Sequence, residues 1–262
     1  MGTEACRALR ADPRTELVAA AGRDWWAAPA DAARQPGFDL EAMARAASPQ
    51  VLVDFAPRGA VMEHATWCAS AGVHLVVGSS GFSSEDLSEL ERMFASEGPG
   101  NGARDDGSQA NCLLVPNFAI GAVLASRLAA LASPYAETIE IVEIHHDAKA
   151  DAPSGTAVST AREMADARAR SGAGPLGADP TVAQVLPCAR GAEAGSGIRI
   201  HSARMRGAVA HQEVLLGMAG QMLTIRHDSY DRSSFMPGML MAVVAVPGRT
   251  GLTVGLGPLL GL

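Results

Sequence analysis

A chain of 262 residues is long enough for one large or two modest domains, and its 48% apolar content supports a substantial core. The formal charge of −7 excludes a general affinity for nucleic acid or anionic membranes, while leaving room for a local basic pocket that takes a small anion. No run approaches about 18 uninterrupted apolar residues, and no basic-then-apolar leader opens the chain, so a cytoplasmic protein without membrane partners is expected. Cys6, Cys68, Cys112 and Cys188 are too scattered for a disulfide framework or a zinc site, and no metal is expected.

Taken in order, the first half alternates strand and helix signals. Thr15–Arg23 (TELVAAAGR), 49–56 (PQVLVDFA), 72–82 (GVHLVVGSSGF) and 111–119 (NCLLVPNFA) are short apolar runs ending near glycine or proline, the pattern of buried parallel strands. Between them, 58–72 and 83–98 are compatible with helices, the second opening on Ser84 with acids following. This rhythm predicts an α/β, Rossmann-like, doubly wound domain. From Ile139 the character changes: TIEIVEIHH, GIRIHSARMRG, AHQEVLLGM and QMLTIRHDS alternate as strands, with one clear helix near 154–171. That predicts a second, α+β domain built on a mixed or antiparallel sheet. A last helix (SFMPGMLMAVVAV) and a glycine-punctuated tail follow, and 97–111 and 171–180 read as irregular loops.

The densest chemistry lies in EIHHDAKADAPSGTA, Glu143 to Ala157. Adjacent side chains on a strand point to opposite faces, so His145 and His146 serve one pocket only if the strand ends there and the backbone turns. Asp-Ala-Pro-Ser supplies that ending, and Pro153 suits the first position of a helix whose opening amides, from Ser154, Gly155 and Thr156, aim at a carboxylate or phosphate. Lys149 and the histidines add charge and proton donors, which points to an acidic small molecule that gains a proton during reaction. Alone, a His-His pair is more often incidental and Pro-Ser-Gly-Thr more often a plain helix cap; their combination carries the weight. Adjacent histidines fit no zinc spacing, and Ser154 sits in no Gly-x-Ser-x-Gly elbow.

This stretch resembles the signature of the dihydrodipicolinate reductase family, pyridine-nucleotide enzymes of diaminopimelate and lysine synthesis. The resemblance extends, in order, over VDFAPRGAVMEH, GVHLVVGSSGF, VPNFAIGAVL, AHQEVLLGMAGQMLTIRHDSYDRSSFMPG and GLTVGLGPLL. It implies a nucleotide-binding domain over 1–117 and 230–262 and a substrate-binding and oligomerisation domain over 118–229. His145 would be the proton donor and acceptor and Lys149 a second donor and charge partner, while His146, Ser154, Gly155 and Thr156 would hold the dicarboxylate. Gly78, Ser79 and Ser80 stand where the family has Gly-Thr-Thr beside the nicotinamide, and Val115, Pro116, Asn117 and Phe118 where it has Ala-Pro-Asn-Phe. Arg232 would contact the nucleotide or tie the domains together, and a homotetramer assembled through the sheets of the second domain is implied.

One departure concerns the start. The family opens with an apolar strand and a Gly-x-x-Gly-Arg-Met-Gly loop, whereas this sequence begins as though Met1-Gly2 were the end of that loop, and a start codon assigned too late is the expected reason. After LVAAA comes Gly22-Arg23-Asp24, an arginine with no acid before it; Arg23 suits a ribose 2′-phosphate, so NADPH is expected to serve at least as well as NADH. Two alternatives remain beside the reductase. One is a regulatory or catalytically impaired paralogue that binds the dicarboxylate without a functional nucleotide site; the other is a nicotinamide enzyme for another amino or imino acid, such as an aspartate dehydrogenase.

Overall fold

The structure is a computed structural model that describes residues 1–95 and 109–262. Most of the 97–111 loop expectation therefore lies outside the described residues. The chain divides into two compact units, one formed by Met1–Phe118 with Phe235–Leu262, the other by Ala119–Ser234.

The first unit opens with helix α1 (Gly2–Ala11), followed by short strands β1 (Ala20–Gly22), β2 (Trp25–Ala27) and β3 (Gln35–Pro36), which form a small antiparallel sheet. Helix α2 (Leu40–Ala47) starts at Asp39, whose side chain caps the Ala42 amide. Then β4 (Val51–Asp54), α3 (Arg58–Ala71), β5 (His74–Val77), α4 (Ser84–Met93) and β6 (Cys112–Leu114) alternate as expected of a doubly wound domain. The sheet is completed from the far end of the sequence by β12 (Leu252–Val254), giving the parallel order β12-β6-β5-β4. Every residue of β5 and β6 is buried, because helices cover both faces; Leu75, Val77, Cys112 and Leu114 pack with Val61, Ala65, Leu90 and Phe94. Helix α4 opens on Ser84 as expected, with Ser83 as its N-cap: Ser83 accepts from the Asp86 amide and Asp86 reaches back to the Ser83 amide, a reciprocal capping box.

Thr15–Arg23 departs from expectation. It is no buried parallel strand; only Ala20–Gly22 is paired, antiparallel to Trp25–Ala27. The Arg23-Asp24 dipeptide turns the chain into a hairpin, and β4 forms the edge of the parallel sheet, so no strand among the described residues lies beside Thr15–Ala19 to pair with it. The apolar run is present, but its partner decides whether it becomes a strand.

The second unit starts with α5 (Ile120–Ala132), which the sequence reading passed over, then β7 (Thr138–His145), α6 (Gly155–Ser171), β8 (Ala192–Glu193), β9 (Arg199–Arg204), β10 (Ala210–Met218) and β11 (Gln221–Ser229). The sheet order is β11-β10-β7-β9-β8, mixed because β7 and β9 run parallel while the other pairs are antiparallel. A two-residue turn with Gly220 at φ 71° joins β10 to β11. Alternation places Ile139, Ile141, Val214, Leu216 and Ile200 on one face, where Ala157, Ala161 and Met164 of α6 cover them. The tail is closed by α7 (Met236–Ala245), which belongs to the first unit, and the short α8 (Gly257–Leu260) after β12. No helix among the described residues is long and apolar enough to cross a membrane.

Candidate functional site

Sheet register builds the site. On the helix-covered face of the second unit, the row Ile200–Ile141–Val214–Ile225 is apolar. The next row, Ser202–Glu143–Gln212–His227, is polar, and beyond it lies Arg204–His145–Ala210–Ser229. The same period of two that buries isoleucine thus carries Glu143 into the protein and leaves His145 at the strand end.

Glu143 is fully buried and saturated with donors. Arg204 meets it with both terminal nitrogens, Nη1 to Oε2 and Nη2 to Oε1, each at 3.0 Å, and the Ser154 amide donates to Oε1 at 3.2 Å. His145 Nδ1 lies 2.5 Å from Oε2. Burial pushes the Glu143 carboxyl upward, but hydrogen bonds from Arg204, Ser202 and His145 outweigh it and hold the group below the usual range. For His145, burial dominates and lowers the imidazole below its ordinary value; Glu143 opposes this, and the charges of Lys149 and Arg204 add to it. A carboxylate against Nδ1 favours the neutral tautomer with its proton on that nitrogen.

The strand ends at His145, and the chain then turns, with the Lys149 amide donating to the His146 carbonyl at 3.1 Å. Lys149 Nζ donates to both oxygens of Asp151 at 2.8 Å, and this lowers the Asp151 carboxyl. Arg204 Nη2 also donates to the Asp151 carbonyl at 2.6 Å, tying the turn to β9. Ser154 is the N-cap of α6, accepting from the Ala157 amide at 3.2 Å, so Pro153 stands outside the helix rather than at its first position. The Ser154 amide and hydroxyl oxygen therefore both serve the fold. Gly155 is exposed, with open space where a Cβ would stand, and Thr156 is half-buried beside it. His146 is half-buried at the turn.

Lys149 is the only lysine in the chain, the other 20 of the 21 lysines and arginines being arginine. A sequence that uses arginine for its other Lys/Arg positions keeps an ammonium here, a compact point charge on a flexible stem rather than a planar guanidinium. Glu143 and Arg204 escaped the sequence reading. Glu143 looked like an ordinary polar alternation, and Arg204 stands 61 positions from it, but two charged residues at matching parity in the two buried-face strands were a usable signal.

In the first unit, Gly78, Ser79 and Ser80 follow the carboxyl end of β5, and Val115, Pro116, Asn117 and Phe118 follow that of β6, the ends where open α/β sheets bind ligands. A Cβ on Gly78 would stand 2.3 Å from Phe55 and 2.7 Å from Phe118, so only glycine fits between these rings. Ser79 Oγ is buried with no partner among the described residues, an orphan that a bound ligand's polar group can satisfy. These features fit a flat, polar-edged nicotinamide. Beside them, His64 Nδ1 lies 2.6 Å from the buried Asp54 at the end of β4, a pair the sequence reading did not single out. Arg23 is exposed at the tip of the β1–β2 hairpin, and Arg232 is exposed near the end of the second unit, in the turn Arg232–Phe235.

Comparison with known proteins agrees with this architecture. Family models described as "Dihydrodipicolinate reductase, N-terminus" and "Dihydrodipicolinate reductase, C-terminus" match residues 1–99 and 120–259. The 4-hydroxy-tetrahydrodipicolinate reductase of Streptomyces coelicolor is 43% identical over 98% of this chain and 92% of its own length. That of Cutibacterium acnes is 44% identical over 100% and 95%. A solved dipicolinate-bound dihydrodipicolinate reductase from Paenisporosarcina sp. TG-14 superposes with a TM-score of 0.76 at 34% identity, over 98% of this chain and 94% of the other. The chain belongs to the dihydrodipicolinate reductase family.

Proposed function

We propose that this chain reduces 4-hydroxy-tetrahydrodipicolinate to tetrahydrodipicolinate with NADH or NADPH, in diaminopimelate and lysine synthesis. The observation that carries the reading is the imidazole of His145, tied at Nδ1 to Glu143 at 2.5 Å, on the strand end that leads through the sole lysine into the N-terminus of α6. A bound nicotinamide supplies the hydride, which goes to the ring carbon that loses its hydroxyl as water. His145 and Lys149 supply the proton that balances the charge left on the ring. His146 and the first turn of α6, at Gly155 and Thr156, hold the carboxylates, with Lys149 as a charge partner and Ser154 shaping the turn. The fold positions these groups; the reducing power belongs to the cofactor.

Gly78, Ser79, Ser80 and Val115–Phe118 hold the nicotinamide end in this reading, and Arg23 and Arg232 meet the phosphates. Arg23, exposed and with no acid before it, favours NADPH at least as much as NADH. The second unit forms a homotetramer through its sheet, whose β11 edge exposes Met222 and Leu223, and the enzyme works in the cytoplasm. The test is oxidation of NADPH and of NADH by the purified chain, with substrate generated by the preceding enzyme. Turnover that disappears in His145→Gln supports the assignment; dipicolinate binding without turnover of either nucleotide replaces it with the regulatory alternative.

A further inference from the structure

We infer that Glu143 is a positioning residue, held by Arg204, that fixes the His145 ring with its Nδ1 proton inward and its Nε2 toward substrate. This rests on the proposed reductase reading for what Nε2 does, but not for the geometry itself. Glu143 contacts no solvent and lies on the same strand face as His145, two residues earlier, so it acts through the groups it holds, the His145 ring first among them.

Three observations separate this from an incidental buried ion pair. First, both carboxylate oxygens are occupied: Oε1 by Arg204 and the Ser154 amide, Oε2 by Arg204 and His145. The carboxylate cannot rotate away without losing donors from β9 and from the start of α6, so the ring inherits its orientation from three elements. Second, the His145 carbonyl accepts from the Met205 amide at 2.8 Å, which fixes the backbone that carries the ring. Third, the charges around the ring are Glu143 on β7, Arg204 on β9 and Lys149 in the turn, while β10 offers only Ala210 opposite. Glu143 is the single anion among them, and it alone favours the imidazolium that a proton donor requires. Arg204 neutralises Glu143 enough to keep it buried, yet leaves one lone pair of Oε2 for Nδ1. When Nε2–H gives its proton to the substrate, the neutral ring retains Nδ1–H against Glu143, ready to be recharged at Nε2 from solvent.

The experiment has two arms. In the wild-type protein, ring ¹⁵N shifts of neutral His145 are expected to show the proton on Nδ1; a proton on Nε2 overturns the inference, whatever the enzyme's activity. In Glu143→Gln, kcat is expected to fall about 10- to 100-fold. The basic limb of kcat/KM should also move to lower pH by about one unit or more, since the imidazolium loses its anion. Glu143→Asp, which keeps the charge against Arg204, should leave that limb near its wild-type position. A Glu143→Gln enzyme that is slower with an unmoved limb overturns the inference, because a merely structural loss does not shift it. Failure of the wild-type enzyme to turn over substrate would instead sink the functional reading, leaving the ¹⁵N result standing.

Discussion

Arg204 and Glu143 meet fork to fork, each terminal nitrogen on its own carboxylate oxygen at 3.0 Å, joining β9 to β7 at the end of the buried face. Removing one partner of such a pair strands a charge out of water. Arg204→Met is therefore expected to cost about 3–5 kcal/mol of stability. Arg204→Lys, which keeps the charge but cannot make both contacts, should cost less. Urea denaturation of the three proteins checks the order; equal midpoints would show that Glu143 finds compensation elsewhere.

Lys149→Arg tests whether the ammonium is more than a charge. Arginine would still pair with Asp151 and a substrate carboxylate, but it does not release its proton near neutral pH. The expected outcome is a kcat lower by about 10²- to 10⁴-fold, with dipicolinate affinity much less affected. A variant that retains most of its turnover would reassign Lys149 to binding alone.

Asp151 holds the Lys149 ammonium in a two-oxygen grip while its own side chain remains largely exposed. In the proposed reading an incoming substrate carboxylate competes for the same ammonium. Asp151→Asn is thus expected to tighten dipicolinate binding about two- to fivefold, within the range of an exposed ion pair. Calorimetric titration measures it, and weaker binding would mean that Asp151 orients Lys149 rather than competing for it.

Acid stability follows from three groups with one sign. Burial holds His145 and His227 below the ordinary histidine value of 6.5, so below that value the unfolded chain takes up protons that the fold resists. Glu143 is held below the ordinary carboxylate value of 4.5, so its contribution is complete above that value and lost as pH falls through its folded value. Tm should decline as pH drops below neutrality, first with the histidines and then with Glu143. Melting curves across that range check it; a Tm that holds steady down to the carboxylate range would contradict the assignment.

What the sequence made legible is what is local in it. His145, Lys149 and the α6 cap lie within one short stretch, so strand end, turn and helix start could be read from residue types alone. The alternation of β4, α3, β5, α4 and β6 was equally visible, because each element carries its own apolar period and its own breakers. Thr15–Arg23 was not, since an apolar run becomes a sheet strand only beside a partner, and the Arg23-Asp24 turn folds it onto Trp25–Ala27 instead. Helix α5 went unread because its surface is apolar well beyond one stripe: Leu124, Leu128 and Leu131 are exposed although Ala125, Ala129 and Ala130 are buried. Arg204 was out of reach for a different reason, as its partner is set by the parallel register of β7 and β9 rather than by neighbours in the chain.

That parallel register has a kinetic meaning. Two parallel strands cannot be joined by a hairpin, so α6 and the long segment after it must cross over the sheet before Arg204 comes alongside Glu143. The contact between Glu143 and Arg204 therefore spans 61 positions and costs more chain entropy to close than the β10–β11 hairpin beside it. In the proposed reading, a chain in which β9 has not yet docked carries His145 and Lys149 without the arginine that holds Glu143 against the ring.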